Sequence, residues 1–193
     1  QGYGMSELSP VSHIIPADTP GLLGQQDPPL SSTGWAVPNS ENKIVDPASG
    51  AEIELPSEGL SEPGELWVRG PQIMAGYLNK PEQTAEATEH GWLHTGDVGR
   101  FGDEGYLYIV DRKKDMVVTG GFSVFPREVE DVISTHPSVA SVAVIGVPDD
   151  KWGEAVKAVV VPRAGATVDV EELRDLVRDR KGAVYTPKTV DLV

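Results

Sequence analysis

The hydrophobic pattern of the first half of the chain consists of short apolar runs broken by glycine and proline. These runs lie at Lys43–Val45, Gly64–Val68, Trp92–His94 and Tyr106–Val110. Short runs bounded by turn residues are typical of strands, and here they favour a small barrel or rolled sheet. We predict one brief helix in this half, at Glu82–Glu89, and expect Trp35 and Trp67 to fill the core of the sheet.

After Asp111 the pattern alternates between strand and helix. Pro126 is predicted to open a helix, because the residues that follow it recur at the i, i+3, i+4, i+7 spacing: Val129, Val132, Ile133 and His136. A second helix is predicted after Asp169, which forms a capping box with Glu172. The apolar face of this second helix consists of Leu173, Leu176 and Val177.

Strands are predicted around these helices, at Asp115–Val118, Val139–Val147, Ala155–Val161 and Val190–Val193. A Gly120-Gly121 turn follows the first of them. The predicted fold class is therefore α+β, with a small β-barrel-like subdomain followed by a compact α+β domain.

Composition narrows the classes of function. The 193 residues include no cysteine, which excludes disulfides and thiolate metal sites. Sixteen basic against thirty acidic residues give a net charge of -14, so we expect no nucleic-acid partner. The apolar runs are far shorter than the ~20 residues that cross a bilayer, so we expect no transmembrane segment. Because the chain begins with Gln1 and not Met, we expect the native N-terminus to lie upstream.

The first seven residues, Gln1-Gly-Tyr-Gly-Met-Ser-Glu7, are the first candidate for chemistry. Two glycines around a tyrosine are typical of a loop where backbone comes close to a ligand. The Tyr3 ring could stack on a base, the Ser6 hydroxyl could donate to a phosphate oxygen, and Glu7 could bind magnesium. The segment taken alone is equally compatible with an ordinary turn that ends in an exposed glutamate.

Two later segments combine a strand with polar groups. Trp92-Leu-His-Thr-Gly-Asp97 places an aspartate after a Thr-Gly turn, where its carboxylate could accept hydrogen bonds from the two hydroxyls of a ribose. An Asx turn that closes a hairpin is the alternative interpretation. Tyr106–Asp115 ends in a block of charge in which Arg112 offers a planar donor fork for a sugar or phosphate. The alternative for that block is a solvated linker between domains.

Taken together and in order, six segments resemble the motifs of the adenylate-forming, or AMP-binding, superfamily. They are Gln1–Glu7, Gly64–Gly70, Gly76–Pro81, Thr95–Asp97, Gly105–Asp115 and Gly120–Glu130. The resemblance covers essentially the whole chain. It is greatest to the branch of the acyl-CoA synthetases and 4-coumarate-CoA ligases, on Gly-Tyr-Gly-Met-Ser-Glu-Leu-Ser-Pro and on Asp111-Arg-Lys-Lys-Asp-Met.

The resemblance implies a role for each residue of the first segment. Gln1, Gly2, Tyr3 and Ser6 are similar to the loop that holds the adenine and the α-phosphate of ATP, and Ser6 and Glu7 take part in catalysis. Glu7 is similar to the ligand of Mg²⁺ in that loop. ATP or AMP and Mg²⁺ are therefore the cofactors expected here.

The resemblance also implies two ribose contacts and a hinge. Asp97 and Arg112 are similar to the residues that bind the ribose hydroxyls. Lys114 is similar to the hinge residue about which a small C-terminal domain turns between two half-reactions.

A third group of residues resembles the contacts that the family makes with coenzyme A. Gly121 and Phe122 are similar to the loop beside the pantetheine tunnel, and Trp152 matches a position that packs on coenzyme A in some members. The chain departs from the plant 4-coumarate ligases at Val118 and Gly120, where those enzymes carry lysines.

The domain organisation follows from the same resemblance. Residues 1–111 correspond to the C-terminal portion of the AMP-binding N-terminal domain, and residues 112–193 to the mobile C-terminal α+β domain. We expect the phosphate loop of the family upstream of Gln1 and its catalytic lysine beyond Val193, so Lys188 is not assigned that role. The 193-residue chain alone is therefore expected to make no acyl-CoA.

The implied function is that of an acid–thiol ligase, which activates a fatty or aryl acid with ATP to acyl-AMP and transfers the acyl group to coenzyme A. The implied location is cytoplasmic, and a homo-oligomer is left open. Two alternatives stay open as well. The acyl group could go to another acceptor, such as a carrier-protein thiol, or the chain could be a non-catalytic nucleotide- or CoA-binding remnant.

Overall fold

The computed structural model describes residues 1–15 and 31–193. The chain divides into two compact units, Gln1–Lys113 and Lys114–Val193. Each unit has its own hydrophobic core. No helix in the described ranges is long and apolar enough to cross a membrane.

The first unit begins with a small antiparallel sheet. Its strands are β1 (Gly2–Gly4), β2 (Val11–Ile14) and β3 (Trp35–Ala36), and a 3-10 turn at Ser6–Leu8 lies between the first two. Glycine is required at position 4, because a Cβ there would lie 1.8 Å from the carbonyl oxygen of Pro10. The close approach allows β1 to fold back on β2, with Tyr3 opposite His13.

A larger antiparallel sheet of six strands follows, with one short helix, α1 (Pro81–Ala87). The strands are β4 (Glu41–Val45), β5 (Glu52–Ile53), β6 (Gly64–Arg69), β7 (Thr88–Glu89), β8 (Trp92–Phe101) and β9 (Leu107–Arg112). Their order is β5-β4-β6-β8, and both β7 and β9 pair with β8. The sheet curls into a half-barrel, which confirms the barrel-like subdomain predicted from the sequence.

The helix predicted at Glu82–Glu89 exists but ends at Ala87. Thr88 and Glu89 instead pair with Leu93 and Trp92 in a hairpin. Its turn, His90-Gly91, has positive φ at both residues, 50° and 81°. A β-branched residue next to such a turn favours the strand, and that preference outweighs continuation of the helix.

The prediction that Trp35 and Trp67 fill the core was wrong. The core of the first unit consists of aliphatic side chains and one phenylalanine: Leu8, Ile44, Leu66, Val68, Leu93, Phe101 and Leu107. Trp67 lies between Leu66 and Val68 on a strand, so its side chain points to the opposite face, where it stacks on His94 at 3.9 Å. Trp35 is half-buried and stacks on Tyr106 at 4.3 Å.

The second unit is one sheet with two helices. Its strands are β10 (Val117–Thr119), β11 (Phe122–Val124), β12 (Val139–Asp149), β13 (Gly153–Pro162) and β14 (Thr189–Leu192). The order is β11-β10-β13-β12, and β14 runs parallel to β13. The helices are α2 (Pro126–Ser134) and α3 (Val170–Lys181). The predicted α+β class is confirmed.

The buried face of α2 is formed by Pro126, Val129, Val132 and Ile133, in agreement with the helical spacing in the sequence. The capping box predicted for α3 forms only in part. Asp169 caps the helix and accepts a hydrogen bond from the N–H of Glu171, at 2.9 Å. Glu172 does not return to the cap, because its Oε1 lies 3.4 Å from Nε2 of His136.

The strand predicted at Asp115–Val118 starts two residues later and ends one residue later. Lys113–Asp115 forms a 3-10 turn, and the strand runs from Val117 to Thr119. Thr119 pairs with Phe122 across the Gly120-Gly121 turn, so the strand extends as far as the turn. The 3-10 turn before the strand delays its start to Val117.

His13 is fully buried in the first unit and holds two hydrogen bonds. Nε2 lies 2.7 Å from the amide nitrogen of Asn42, and Nδ1 lies 2.9 Å from Oγ of Ser12. Because the Asn42 amide donates to Nε2, the neutral ring keeps its proton on Nδ1. Burial lowers the pKa of His13 from 6.5 to about 4.

The depressed pKa of His13 predicts a stability that depends on pH. The unfolded state binds a proton near pH 6.5 and the folded state only near pH 4, so the stabilisation is complete above pH 6.5 and is lost as the pH falls toward 4. Between pH 7.5 and 5 we expect the free energy of unfolding to fall by about 2 kcal/mol more in the wild type than in His13→Gln. The measurement is denaturant unfolding at several pH values. His90→Gln, at a side chain that is 90% exposed, is the control and should behave as the wild type does.

Candidate functional site

A β-bulge in β8 interrupts its pairing with β6 just before Val98, while Asp97 stays paired with Arg112 of β9. Glu65 pairs with Val98 and Trp67 pairs with His94, so two steps along β6 correspond to four along β8. Gly96, with φ 72°, allows the extra residues, and the Thr95 hydroxyl donates to the carbonyl of Leu66 at 2.7 Å. Bulges of this kind redirect side chains beside functional sites. The Thr95-Gly96-Asp97 motif is therefore part of a strand and not the turn of a hairpin.

Tyr3 and Asp97 meet in a short hydrogen bond, although they are 94 residues apart in the chain. The Tyr3 hydroxyl donates to Oδ2 of Asp97 at 2.6 Å. Burial raises the pKa of Tyr3, and the hydrogen bond to the Asp97 carboxylate raises it further. The phenol therefore keeps its proton at neutral pH and stays a donor. One Asp97 oxygen is thereby occupied.

Arg112 lies directly across the sheet from Asp97. The two residues are paired between β8 and β9, and Nε of Arg112 lies 3.6 Å from Oδ1 of Asp97. The Arg112 side chain is 63% exposed and that of Asp97 is 16% exposed. The structure thus brings together three of the predicted site residues, Tyr3, Asp97 and Arg112. They present an aromatic ring, a carboxylate oxygen and a guanidinium within one small area.

Glu7 lies in the 3-10 turn after β1, held by the buried Leu8 beside it. Its Oε1 accepts a hydrogen bond from the Tyr77 hydroxyl at 2.8 Å, and its carbonyl accepts one from the N–H of Met74. The hydrogen bond to Glu7 raises the pKa of Tyr77. Ser6, the neighbouring residue, is exposed.

The residues around Glu7 fit a magnesium ion that is bound together with a nucleotide. No group of three or more acidic or histidine ligands occurs in the described residues, so a protein-only metal cage is not formed there. Mg²⁺ in nucleotide sites uses one or two carboxylates and takes further ligands from phosphates and water. The second oxygen of Glu7 meets that requirement.

Two residues of this region have roles that the sequence does not predict, Tyr77 and Thr95. Tyr77 belongs to the Gly76–Pro81 motif, to which no role was assigned, and the structure shows that it holds Glu7. Thr95 was regarded as a turn residue, but its buried hydroxyl bridges the bulge and also accepts from the N–H of Asp97.

In the second unit, Gly120 and Gly121 form the two-residue turn of the β10–β11 hairpin. Their φ angles are 58° and 85°, which match the turn type that suits a tight hairpin and that favours glycine. Around Gly121 a Cβ would meet no atom within 4 Å, so its backbone is open to a ligand. Phe122, the next residue, is 61% exposed.

A cavity of about 480 Å³ lies against this hairpin. Phe122 and Trp152 supply aromatic surface, and Val156 and Val184 supply aliphatic surface. Three cations also line it: Arg174, Arg178 and Lys188. Cavities of this size, apolar with a few polar groups, are typical of ligand sites. Of the residues predicted for this site, Phe122 and Trp152 line the cavity, whereas its glycine contact is Gly120 and not Gly121.

Each of the cations that line the cavity has an acidic partner. Arg174 pairs with Glu171 at 2.8 Å, Arg178 pairs with Asp175, and Lys188 pairs with Asp149. These pairs are partly exposed, where ion pairs contribute little and exchange partners readily. An anionic ligand could therefore recruit Arg174 and Arg178, because their acidic partners are exposed to solvent. Asp149 is only 9% exposed, so recruitment of Lys188 would leave that carboxylate with the N–H groups of Lys151 and Trp152 as its donors.

Lys114 is the first residue of the second unit and the middle residue of the 3-10 turn Lys113–Asp115. Its side chain is exposed. The preceding residue, Lys113, belongs to the first unit, where its Nζ lies 2.9 Å from Oε2 of the buried Glu65. The Nε1–H of Trp67 donates to the same oxygen at 3.0 Å. The chain is thus anchored immediately before Lys114.

Comparison with protein families gives two matches along the chain. Residues 1–78 match the family described as AMP-binding enzyme. Residues 128–193 match the C-terminal domain of the AMP-binding enzymes. A similar curated relative is the medium/long-chain-fatty-acid–CoA ligase FadD8 of Mycobacterium tuberculosis, which is 42% identical over 212 aligned residues. The alignment covers 99% of this chain and 37% of that relative, so the chain spans about a third of the relative's length.

Two solved structures extend the comparison. The amide bond synthetase McbA of Marinactinospora thermotolerans is 42% identical with a TM-score of 0.73, over 84% of this chain and 32% of that one. ATP-bound MatB of Rhodopseudomonas palustris is 35% identical with a TM-score of 0.83, over all of this chain and 36% of that one.

Proposed function

The chain belongs to the AMP-binding enzymes, and we propose that the protein carrying it is an acyl-CoA synthetase. In this proposal a fatty or aryl acid reacts with ATP to give acyl-AMP and pyrophosphate, and coenzyme A then displaces AMP to give the thioester. The observation that carries the proposal is the Tyr3–Asp97–Arg112 cluster, in which an aromatic ring, a carboxylate and a guanidinium lie together and would suit a nucleoside. The fatty-acid–CoA ligase relative supports the choice of acid and acceptor.

The first unit would bind the nucleotide. The ring of Tyr3 would stack on adenine, and Asp97 would accept from the ribose hydroxyls through Oδ1, the oxygen that Tyr3 does not use. Arg112 would donate to the same sugar. Gln1 and Gly2 would line the adenine side, with the backbone of Gly2 close to the ligand.

The chemical step joins two anions, so charge must be balanced at the α-phosphate. A carboxylate oxygen of the acid attacks the α-phosphorus and pyrophosphate leaves. Ser6 would donate its hydroxyl to an α-phosphate oxygen, and Glu7, oriented by Tyr77, would hold the metal. Magnesium, when bound, neutralises charge on the phosphates. The remaining contribution of these residues is to keep the two reacting groups in line.

The second unit would receive coenzyme A. Gly121 and Phe122 would lie along the pantetheine arm, and Trp152 would pack on coenzyme A. The cavity suits this ligand, because aromatic and aliphatic surface lies beside three cations. The thiol attacks the acyl carbon, and AMP leaves with the electrons of the carbon–oxygen bond. Lys114 would be the hinge between the two steps, and we propose a cytoplasmic location, where ATP and coenzyme A are both present.

An amine acceptor is the second candidate. The observation in its favour is the 42% identity to an amide bond synthetase, which is as high as the identity to the fatty-acid–CoA ligase. The first half-reaction would be the same and an amide would replace the thioester. A carrier-protein thiol remains a further alternative acceptor.

The experiment uses the full-length protein with ATP, Mg²⁺ and a set of medium-chain, long-chain and aryl acids. Pyrophosphate release tests adenylation, and thioester formation is then measured separately with free coenzyme A. We expect both. Pyrophosphate release with an amide product from added amines, and no thioester, would support the second candidate. No pyrophosphate with any acid would contradict both and favour a non-catalytic binding module.

A further inference from the structure

We propose that Glu154 is a positioning residue, which holds the Gly120-Gly121 loop in place for the acyl acceptor. This inference rests on the proposed function of that loop. It concerns a carboxylate to which neither the sequence analysis nor the proposed function gives a role.

The carboxylate of Glu154 replaces a backbone partner of β10. Its Oε2 accepts a hydrogen bond from the N–H of Val118 at 2.7 Å. The pairing of β10 with β13 consists of the single position Thr119 with Gly153. The backbone N–H of Val118, two residues before the glycine turn, is therefore bound to β13 by a side chain. In a longer β10–β13 ladder a backbone carbonyl would accept this hydrogen bond.

The space for this carboxylate is created by a glycine. A Cβ on Gly146 would lie 3.1 Å from Oε1 of Glu154, in the tight range of contacts. Gly146 is in β12, on the strand next to β13, so the backbone of the sheet leaves room for the side chain to bend over it. Glu154 itself is half-buried.

Trp152 fastens the loop at a second point. The N–H of Gly120 donates to the Trp152 carbonyl at 2.9 Å, and a Cβ on Gly120 would lie 2.7 Å from the Trp152 ring. The loop thus rests on the ring and is tied to the backbone of the same residue. Asp149 orients this segment, since its Oδ1 accepts from the N–H groups of Lys151 and Trp152.

These contacts hold the β10 side of the loop, and on its other side Phe122 pairs with Thr119 in the hairpin. Gly120 is fixed by Trp152, and Val118 is fixed by Glu154, but nothing lies within 4 Å of a Cβ on Gly121. A loop with φ 58° and 85° has many alternative conformations when it is free, because glycine adopts them at little cost. Loss of the Glu154 contact should therefore displace the surface that meets the acceptor and leave the fold intact.

The chain offers a matched control. Glu130 makes the same kind of bond elsewhere in the second unit, because its Oε1 accepts from the N–H of Val144 at 2.8 Å. Glu130→Ala therefore removes an equivalent hydrogen bond without touching the loop. Glu154→Gln keeps an oxygen acceptor and loses the charge, whereas Glu154→Ala loses both.

The first measurement is amide hydrogen exchange by NMR on the 193-residue chain. In Glu154→Ala we expect exchange at Val118 to become about tenfold faster, as loss of one hydrogen bond would produce. Glu154→Gln should stay close to the wild type, and Glu130→Ala should speed exchange at Val144 and not at Val118. Unchanged exchange at Val118 in Glu154→Ala would overturn the proposal.

The second measurement separates the half-reactions in the full-length protein. We expect Glu154→Ala to raise KM for the acceptor or lower the transfer rate by about tenfold, with acyl-AMP formation within about twofold of the wild type. Glu154→Gln should restore transfer, and Glu130→Ala should change neither step. If acyl-AMP formation and transfer fell equally in Glu154→Ala and in Glu130→Ala, Glu154 would have only a structural role and the proposal would be wrong. If the wild type uses an amine or a carrier thiol, the coenzyme A assignment fails. The transfer rate of each variant relative to the wild type is then measured with that acceptor.

Discussion

Replacement of Lys114 by proline in the full-length protein is expected to leave acyl-AMP formation largely intact while thioester formation falls by orders of magnitude. The two units meet in the chain between Lys113 and Lys114, and no apolar side chain lies between Asp111 and Asp115. A hinge absorbs a change of orientation as φ and ψ changes at a few residues. Proline fixes φ near -65°, so it would hold one orientation of the chain at this point.

The anchored residue before Lys114 supports the proposal that this position is the hinge. Lys113 is fixed to the buried Glu65, so rotation about the preceding residues would break an ion pair and leave a buried carboxylate with one donor. Rotation that begins at Lys114 breaks neither contact. Adenylation is the step expected to survive, because transfer to the acceptor is the step for which a second orientation is proposed.

The measurement is single-turnover kinetics of the two half-reactions, taken separately. Lys114→Ala is the control, since it removes the side chain but keeps the N–H and the freedom of φ, and both steps should remain near the wild type. A proline variant in which both steps change by the same factor would show that Lys114 is not the hinge and that the charged stretch is a linker.

The regular elements of the second unit could be predicted from the sequence because their signals are local. The helix that begins at Pro126 is marked by the proline and by apolar residues at helical spacing. The last strand, predicted at Val190–Val193, is found at Thr189–Leu192. In both cases hydrophobic periodicity and the tertiary packing favour the same structure.

The site of the first unit could be predicted only as a set of residues and not as a geometry. Asp97 was placed after a turn, but Thr95 and Gly96 form a bulge in a strand that continues to Phe101. The difference arises because the Thr95 hydroxyl replaces a missing ladder contact, which no periodicity reveals. The Tyr77–Glu7 contact joins residues 70 positions apart, so it could not be predicted from local sequence spacing.

Trp67 shows a different limit of prediction from sequence, which concerns the face of a strand on which a side chain lies. Large aromatic residues are usually counted toward the core, yet Leu66 and Val68 occupy the buried face on either side of it. The alternation of a strand then requires Trp67 to lie on the opposite face, beside Lys43 and His94. The alternation of side chains along the strand therefore predicts the position of Trp67 better than its aromatic character does.

Loss of the Asp97 carboxylate is expected to weaken the use of ATP by about 1–3 kcal/mol, or roughly 5- to 150-fold in kcat/KM, in the full-length protein. The reason is twofold. A charged acceptor for the ribose hydroxyls disappears in Asp97→Ala, and Tyr3 and Arg112 lose the oxygen atoms that orient them. Asp97→Asn keeps an oxygen that can accept from Tyr3 but removes the charge, so its loss should be intermediate.

Asp103→Ala is the matched control for this effect. Asp103 is an aspartate of the same unit whose Oδ2 accepts from the N–H of Gly59 at 3.2 Å, away from Tyr3. Steady-state kinetics with varied ATP, together with thermal unfolding, separates a binding effect from a loss of fold. Asp97→Ala should unfold near the wild-type temperature, because Asp97 is not part of the aliphatic core and the Tyr3 ring keeps its packing against that core. If Asp97→Ala kept near-normal ATP kinetics, or if Asp103→Ala lost as much, the ribose role of Asp97 would be wrong, and its bond to Tyr3 would serve only to close the sheet.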